Sequence, residues 1–334
     1  MKLPVYFHPT TTVLVDDSDT FLRSLSFQLD PSQPNISFYD TLEALDWFGR
    51  SARRADLPLH VNFDDPHQSA ERRNVEVDLE RIWRLSTQPQ RFAMPSVLVV
   101  DYSMPQMDGL AFCQALRTHP CKKILFTGAA DEKIAVDAFN RGLIDRYIRK
   151  SADDALDQLE RELADLQKQF FQEQSKTVCD MLALHDFSFL SCDALAGVVQ
   201  ALYQAHGFVE HYVFPNPSGI LFFDRAGKAT LMIIETEKGL RSQFEMACDS
   251  NAPPSLLAAL DERRILPFFH HVTGDGMYAA AVGEHWHRYC RKPEVCEGRE
   301  TYYWALFEVP AGFLEGVNTS FDAFQRSQRP ALAA

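Results

Sequence analysis

Residues 96–110 read SVLVVDYSMPQMDGL, and the order of side-chain types along them decides the fold. The apolar run Val97 to Val100 is short, rich in β-branched residues and suited to a buried strand. It stops at an acid, Asp101. Pro105 and Gly109 then shape a loop before GLAFCQALRTH, which has helical spacing. The same strand-then-helix step recurs on both sides. Upstream lie TVLVD, DTFLRSLSFQL, ISFYD and TLEALDWFG; downstream lie KKILFTG, DEKIAVDAFNRG, DRYIRK and a long helical pattern. Five short strands, each followed by a helix, predict an α/β domain built on a doubly wound five-stranded parallel sheet. The repetition is interrupted at about 51–95, a stretch rich in Arg, Asp and His that reads as an inserted loop with one short helix, VEVDLERIWRL.

Polar residues sit at the ends of these strands. Asp16 and Asp17 end the first, Asp101 the third, Thr127 the fourth and Lys150 the fifth. In an open parallel sheet the carboxyl ends of the strands border the ligand crevice, so the five should converge there. Three carboxylates in one place repel, and a hard divalent cation with oxygen ligands resolves the repulsion; Mg²⁺ is the intracellular default. A hydroxyl and an ammonium beside such a cluster suit a phosphoryl group, whose equatorial oxygens the cations neutralise. The blander reading makes Asp16 and Asp17 helix caps. It leaves Asp101, Thr127 and Lys150 unexplained.

With these residues in view, the chain resembles the receiver domain of two-component response regulators (CheY-like) over about residues 10–152. VLVDDSD resembles the family's acid pair, LVVDYSMPQMDGL its phospho-acceptor segment, ILFTG its Thr/Ser strand and YIRK its aromatic-x-x-Lys strand. The resemblance implies that Asp101 is phosphorylated, that Asp17 and Asp101 bind Mg²⁺ directly, and that Asp16 does so through water. Ser103 would add a backbone carbonyl to the metal. It also implies that Thr127 and Lys150 bind the phosphoryl oxygens and that Tyr147 is a rotating switch. The implied phosphoryl donor is a sensor histidine kinase or phosphotransfer protein. Two features depart from the family: Lys150 is followed by Ser151 rather than Pro, and the 51–95 insertion is atypical. Haloacid-dehalogenase-like phosphatases share the sheet type and an aspartyl nucleophile. Asp17-Ser18-Asp19-Thr20-Phe21 imitates the start of their motif but puts Phe at its fifth position, and that family has no use for DYSMPQMDG after a later strand.

The expected organisation is a receiver domain over 1–152, a linking helix over 153–182, and an α+β output domain over 183–330. Leu156, Leu159, Leu163, Leu166 and Phe170 repeat at alternating spacings of 3 and 4. They read as a coiled-coil seam for a homodimer, or as a stripe packed on the helix's own domain. The output region holds a helix, ALAGVVQALYQAHG, then a meander, EHYVF, GILFFD and ATLMIIE. A helix near SLLAALDERR, the aromatic LPFFHH and a last strand TYYWALFEV follow, and the tail from Phe321 reads as poorly ordered. The hairpin and LPFF stretch resemble an output region that accompanies receivers elsewhere, a resemblance that implies no activity.

No helix-turn-helix with a basic recognition helix, GGDEF or EAL signature, P-loop or kinase ATP motif is present in the output region. The leading expectation is a phospho-acceptor signalling protein, not an enzyme, whose output works through dimerisation and contacts with a protein target. A second is an output that binds DNA or RNA through Arg263, Arg264, Arg288, Arg291 and Lys292. A third is a metal-dependent output enzyme using His270, His271, His285, His287, Cys290 and Cys296, although their spacing matches no standard zinc pattern. The 334 residues carry 33 basic and 46 acidic side chains, a net charge of −13, which disfavours a broad phosphate-gripping surface. Seven cysteines without paired spacing, no secretory leader pattern and no apolar run of membrane-spanning length read as a cytoplasmic protein with reduced thiols.

Overall fold

The computed structural model describes residues 2–51, 59–61, 75–128, 132–183, 187–270, 278–310, 312–314, 316 and 318–328. Along the chain, β1 (Tyr6–Phe7) precedes β2 (Thr11–Val15), α1 (Asp19–Gln28), β3 (Asn35–Phe38) and α2 (Thr41–Ser51). An antiparallel pair, β4 (Leu59–Val61) and β5 (Val75–Val77), and α3 (Leu79–Arg84) lead to β6 (Pro95–Val100). Then come α4 (Gly109–Ala115), β7 (Lys122–Thr127), α5 (Glu132–Asn140), β8 (Arg146–Arg149) and the 28-residue α6 (Ala155–Leu182). The rest comprises α7 (Asp193–His206), β9 (Phe208–Phe214), β10 (Gly219–Asp224), β11 (Ala229–Thr236), α8 (Glu237–Asp249), α9 (Pro254–Asp261), β12 (Leu266–Pro267), β13 (Cys290–Arg291), β14 (Glu294–Glu297), β15 (Thr301–Glu308) and α10 (Phe321–Gln328).

The chain forms two compact units that interleave along the sequence. One takes His8–Leu57 and Gln90–Gln174; the other takes Met1–Phe7, Pro58–Pro89 and Ser175–Ala334. This differs from the linear division expected at 152 and 182. The reason lies in strand pairing and aromatic packing: β1 pairs antiparallel with β9, and the Trp83 ring of α3 lies 5.8 Å from that of Phe214.

The first unit is the expected α/β domain. Its five strands are parallel in the order β3-β2-β6-β7-β8. Strand side chains alternate between faces, so each strand feeds two cores. Val97, Val99, Leu14, Ile124 and Phe126 join Leu22, Leu25 and Leu29 on one side. Leu98, Val100, Val13, Val15 and Leu125 join Ala44, Phe48, Phe112 and Ala138 on the other. Helices α1 and α6 therefore cover one face, and α2, α4 and α5 the other.

The stripe on α6 serves this unit. Leu159, Leu163 and Leu166 are at most 2% exposed within the core that holds Leu14 and Val97, Leu156 packs against it, and Phe170 is buried with its ring 5.3 Å from that of Phe171. Of the two readings of this stripe, the face packed on its own domain is the one the core shows. Heptad-like spacing and one-sided packing on a sheet demand the same apolar periodicity. Polar ties run along the helix as well: Asp30 N–H donates to Glu160 at 3.0 Å, Arg146 pairs with Glu162 at 2.6 Å, and Lys122 pairs with Glu173 at 2.5 Å.

The second unit is α+β, with a six-stranded antiparallel sheet ordered β1-β9-β10-β11-β15-β14. Its middle strands are buried along nearly their whole length, so the meander builds core. His211 Nε2 lies 3.0 Å from the Pro4 carbonyl and Nδ1 lies 2.6 Å from the Tyr203 hydroxyl. A carbonyl only accepts, so Nε2 carries the proton and Nδ1 accepts from Tyr203. Burial pushes His211 down to about 4. The tail expected to be poorly ordered instead forms α10, anchored by buried Phe321 and Phe324 and by Arg225, which pairs with Asp322 at 3.1 Å.

Candidate functional site

Asp16 and Asp101 occupy adjacent strand ends because β2 and β6 are neighbours in register, Val15 opposite Val100, and Asp101 N–H donates to the Val15 carbonyl at 2.9 Å. Both acids are buried, 4% and 7% exposed. Such a pair needs a cation. Lys150, at the end of β8, supplies one: its Nζ lies 2.5 Å from Asp16 Oδ2 and 2.8 Å from Asp101 Oδ1. The remaining carboxylate oxygens take backbone donors, Asp16 Oδ1 from Ser18 N–H at 2.9 Å and Asp101 Oδ2 from Ser103 N–H at 2.8 Å. Lys150 N–H donates to the Thr127 carbonyl at 3.1 Å, which fixes the strand that carries the ammonium.

Thr127 is fully buried at the end of β7, and Tyr147 is half-buried on β8, packed against the core that contains Met104 and Leu125. Asp17 is exposed. Among the described residues no three His, Cys, Asp or Glu side chains form a ready metal cluster. The pair still suits Mg²⁺, which takes one or two carboxylates and keeps waters in its remaining positions. That two buried carboxylates already share a cation in the Lys150 ammonium shows the charge such a pair requires. Among the described residues the cis peptide is Asn216–Pro217, so Lys150 reaches the acids without a cis bond to Ser151.

Gly109 controls the loop after Asp101. A Cβ there would sit 2.1 Å from the Asp101 carbonyl oxygen, and Gly109 N–H donates to the Tyr102 carbonyl at 2.9 Å. Asp108 caps α4, accepting from Ala111 N–H at 2.8 Å. Three contacts of the site carried no sequence signal. Phe21 lies under Lys150, whose Nζ is 4.3 Å from the ring centroid. Gln106 accepts from Thr41 Oγ1 at 2.9 Å and donates to Asp40 at 3.0 Å, tying the acceptor loop to the start of α2. That bond, with the backbone N–H groups of Glu43 and Leu42, holds the Asp40 carboxyl below its ordinary range.

Among the described residues the metal set considered for the second unit does not assemble. His285 and His287 are exposed, while Cys290 is buried with its thiol 3.3 Å from the Trp286 carbonyl and pushed up to about 12 by burial. Cys296 lies beside Cys192 instead. The His270 ring packs tilted against Phe268 and edge-on against Tyr289 and Phe313, and His271 lies outside the described residues. The basic set is partly neutralised: Arg263 pairs with Glu237 and Arg264 with Glu262, whereas Arg288, Arg291 and Lys292 are exposed.

The family model described as the response regulator receiver domain matches residues 78–161. The structure of the Legionella pneumophila response regulator LqsR is similar at 30% identity, covering 98% of this chain and 96% of that one, with a TM-score of 0.79. An adenylate cyclase structure from Rhodopirellula baltica is similar at 19% identity over 52% of this chain and 98% of that one, with a TM-score of 0.36. A CheY-like receiver domain protein from Methanospirillum hungatei JF-1 is also 19% identical, over 51% and 98%, with a TM-score of 0.31. No curated protein matches the chain. Among the described residues no helix is long and apolar enough to cross a membrane.

Proposed function

The chain belongs to the response regulators and carries a receiver domain, and from that premise we propose that Asp101 accepts a phosphoryl group from a phosphohistidine on a sensor kinase or phosphotransfer protein. The observation that carries this reading is the buried Asp101 carboxylate, bridged to Asp16 by the Lys150 ammonium. An Asp101 oxygen attacks phosphorus in line with the P–N bond; that bond breaks and the imidazole leaves with its electron pair. Lys150 neutralises charge on the phosphoryl oxygens. Asp16 and Asp101, with Asp17 and the Ser103 carbonyl, would hold Mg²⁺, which supplies further charge neutralisation when bound. The Thr127 hydroxyl then donates to a phosphoryl oxygen, and Tyr147 turns into the space Thr127 leaves.

The product switches a protein-contact output of a cytoplasmic signalling protein that is itself no enzyme. Dimerisation needs a face other than the Leu159, Leu163 and Leu166 stripe, which is buried; α5 presents Val136 and Phe139, 59% and 56% exposed. The test is incorporation of phosphate from acetyl phosphate or phosphoramidate with Mg²⁺ present. Asp101→Asn should lose it, and incorporation at the wild-type level would overturn the assignment.

A further inference from the structure

All seven cysteines are free, and Cys192 and Cys296 are neighbours. Burial pushes Cys113, Cys121 and Cys179 up to about 12, 11 and 11, as it does Cys290. Cys192 and Cys296 are placed differently. Cys192 is the N-cap of the 14-residue α7: its carbonyl accepts from Ala196 N–H at 3.0 Å, while its side chain makes no cap hydrogen bond. The thiol leans over the turn between β14 and β15. A Cβ on Gly298 would lie 2.5 Å from Cys192 Sγ and 3.4 Å from the Tyr302 ring, so only glycine leaves room for the sulfur. Cys296 is two residues before Gly298 and pairs across the strands with Tyr302. Its thiol is raised by burial first and by the neighbouring Cys192 thiol next. Both cysteines are 6% exposed, and Glu297, Gly298, Arg299 and Glu300 of the adjoining turn are all exposed.

We propose that Cys192 and Cys296 are a reversible dithiol–disulfide pair that responds to hydrogen peroxide and, when oxidised, ties the start of α7 to the β14–β15 hairpin. Cys192, at the start of α7, is the attacking thiol and gives up its proton as it reacts. It attacks one peroxide oxygen, forming S–O and breaking O–O; the hydroxide released takes up the proton Cys192 lost and becomes water. Cys296 then gives up its proton and attacks the Cys192 sulfenic sulfur, forming S–S and breaking S–O, and the departing hydroxide leaves as water with that proton. Two thiols and one peroxide become one disulfide and two waters. The phosphoryl site takes no part.

The experiment treats the full chain with hydrogen peroxide, alkylates remaining thiols and digests it without reduction. The expected result is a Cys192–Cys296 cross-linked peptide and loss of two of the seven alkylatable thiols, both reversed by dithiothreitol. Asp101→Asn, although it loses phosphate incorporation, should form the same cross-link. In Cys296→Ser, the cross-link should vanish and Cys192 should become reactive to dimedone; Cys296→Ala serves if the serine variant does not fold. Cys192 and Cys296 still fully alkylatable after peroxide, or cross-links falling on Cys113 and Cys121 instead, would overturn the proposal.

Discussion

At Gly109 a single missing methyl group decides whether the acceptor loop closes. Alanine would place its Cβ 2.1 Å from the Asp101 carbonyl oxygen, a backbone atom that cannot rotate away. Gly109→Ala is therefore expected to cost about 1–3 kcal/mol in urea unfolding and to slow phosphorylation by acetyl phosphate; an unchanged midpoint and rate would refute the close contact. His211 makes a prediction of another kind. Its ring is buried neutral at about 4 against an ordinary 6.5, so the unfolded chain binds more protons between those values. The stabilisation it contributes is complete above its unfolded value and is lost as pH falls toward the folded one. Between about pH 7 and about pH 5 the loss from this group is about 2 kcal/mol. Because other groups titrate too, the measurement is the difference in pH slope between wild type and His211→Asn, and equal slopes would contradict the buried neutral ring.

Helix α6 shows where an element's pattern underdetermines its use. Leu159, Leu163 and Leu166 repeat as a dimer seam does, yet they fill the core beside Leu14, Val97 and Ile124. Leu163→Ala should thus destabilise the first unit by about 2–5 kcal/mol. Sedimentation of the folded protein should be unaltered; a change in oligomeric state without loss of stability would restore the seam. The five parallel strands and the strand-end residues Asp16, Asp101, Thr127 and Lys150 were legible because apolar runs ending in polar residues report local geometry directly. Gln106, Asp40 and Phe21 were not, since their contacts form only once distant segments meet: Gln106 and Asp40 are 66 positions apart. The helix Phe321–Gln328 was missed for a similar reason, as its order comes from burying Phe321 and Phe324 and from the bonds of Arg225 to Asp322 and Gln325. The thiol pair was equally silent, for Cys192 and Cys296 share no spacing motif.

Across the whole molecule, the chain passes between its two units four times, and the N-terminal segment belongs to the unit that otherwise lies mostly after residue 175. Residues 2–7 are bound there in detail. Leu3 N–H donates to the Leu190 carbonyl at 3.1 Å, Val213 N–H to the Val5 carbonyl at 2.8 Å, and the Cys179 thiol to the Leu3 carbonyl at 3.3 Å. Leu3, Val5 and Tyr6 are all buried, each worth about 1.5–3 kcal/mol. Removing the segment also takes the Pro4 carbonyl from His211 and strips β1 from β9, leaving an unpaired edge. A chain beginning at His8 should therefore lose several kcal/mol in the unfolding of this unit, and residues 175–334 alone, lacking both β1 and α3, should be less stable still and prone to associate through β9. The two shortened chains are compared with the full chain by urea unfolding and by size-exclusion chromatography. If 175–334 unfolds cooperatively at the full chain's midpoint, the first seven residues are ornament and the output unit is separable. If it does not, the second unit depends for its stability on the segments it draws from before residue 90.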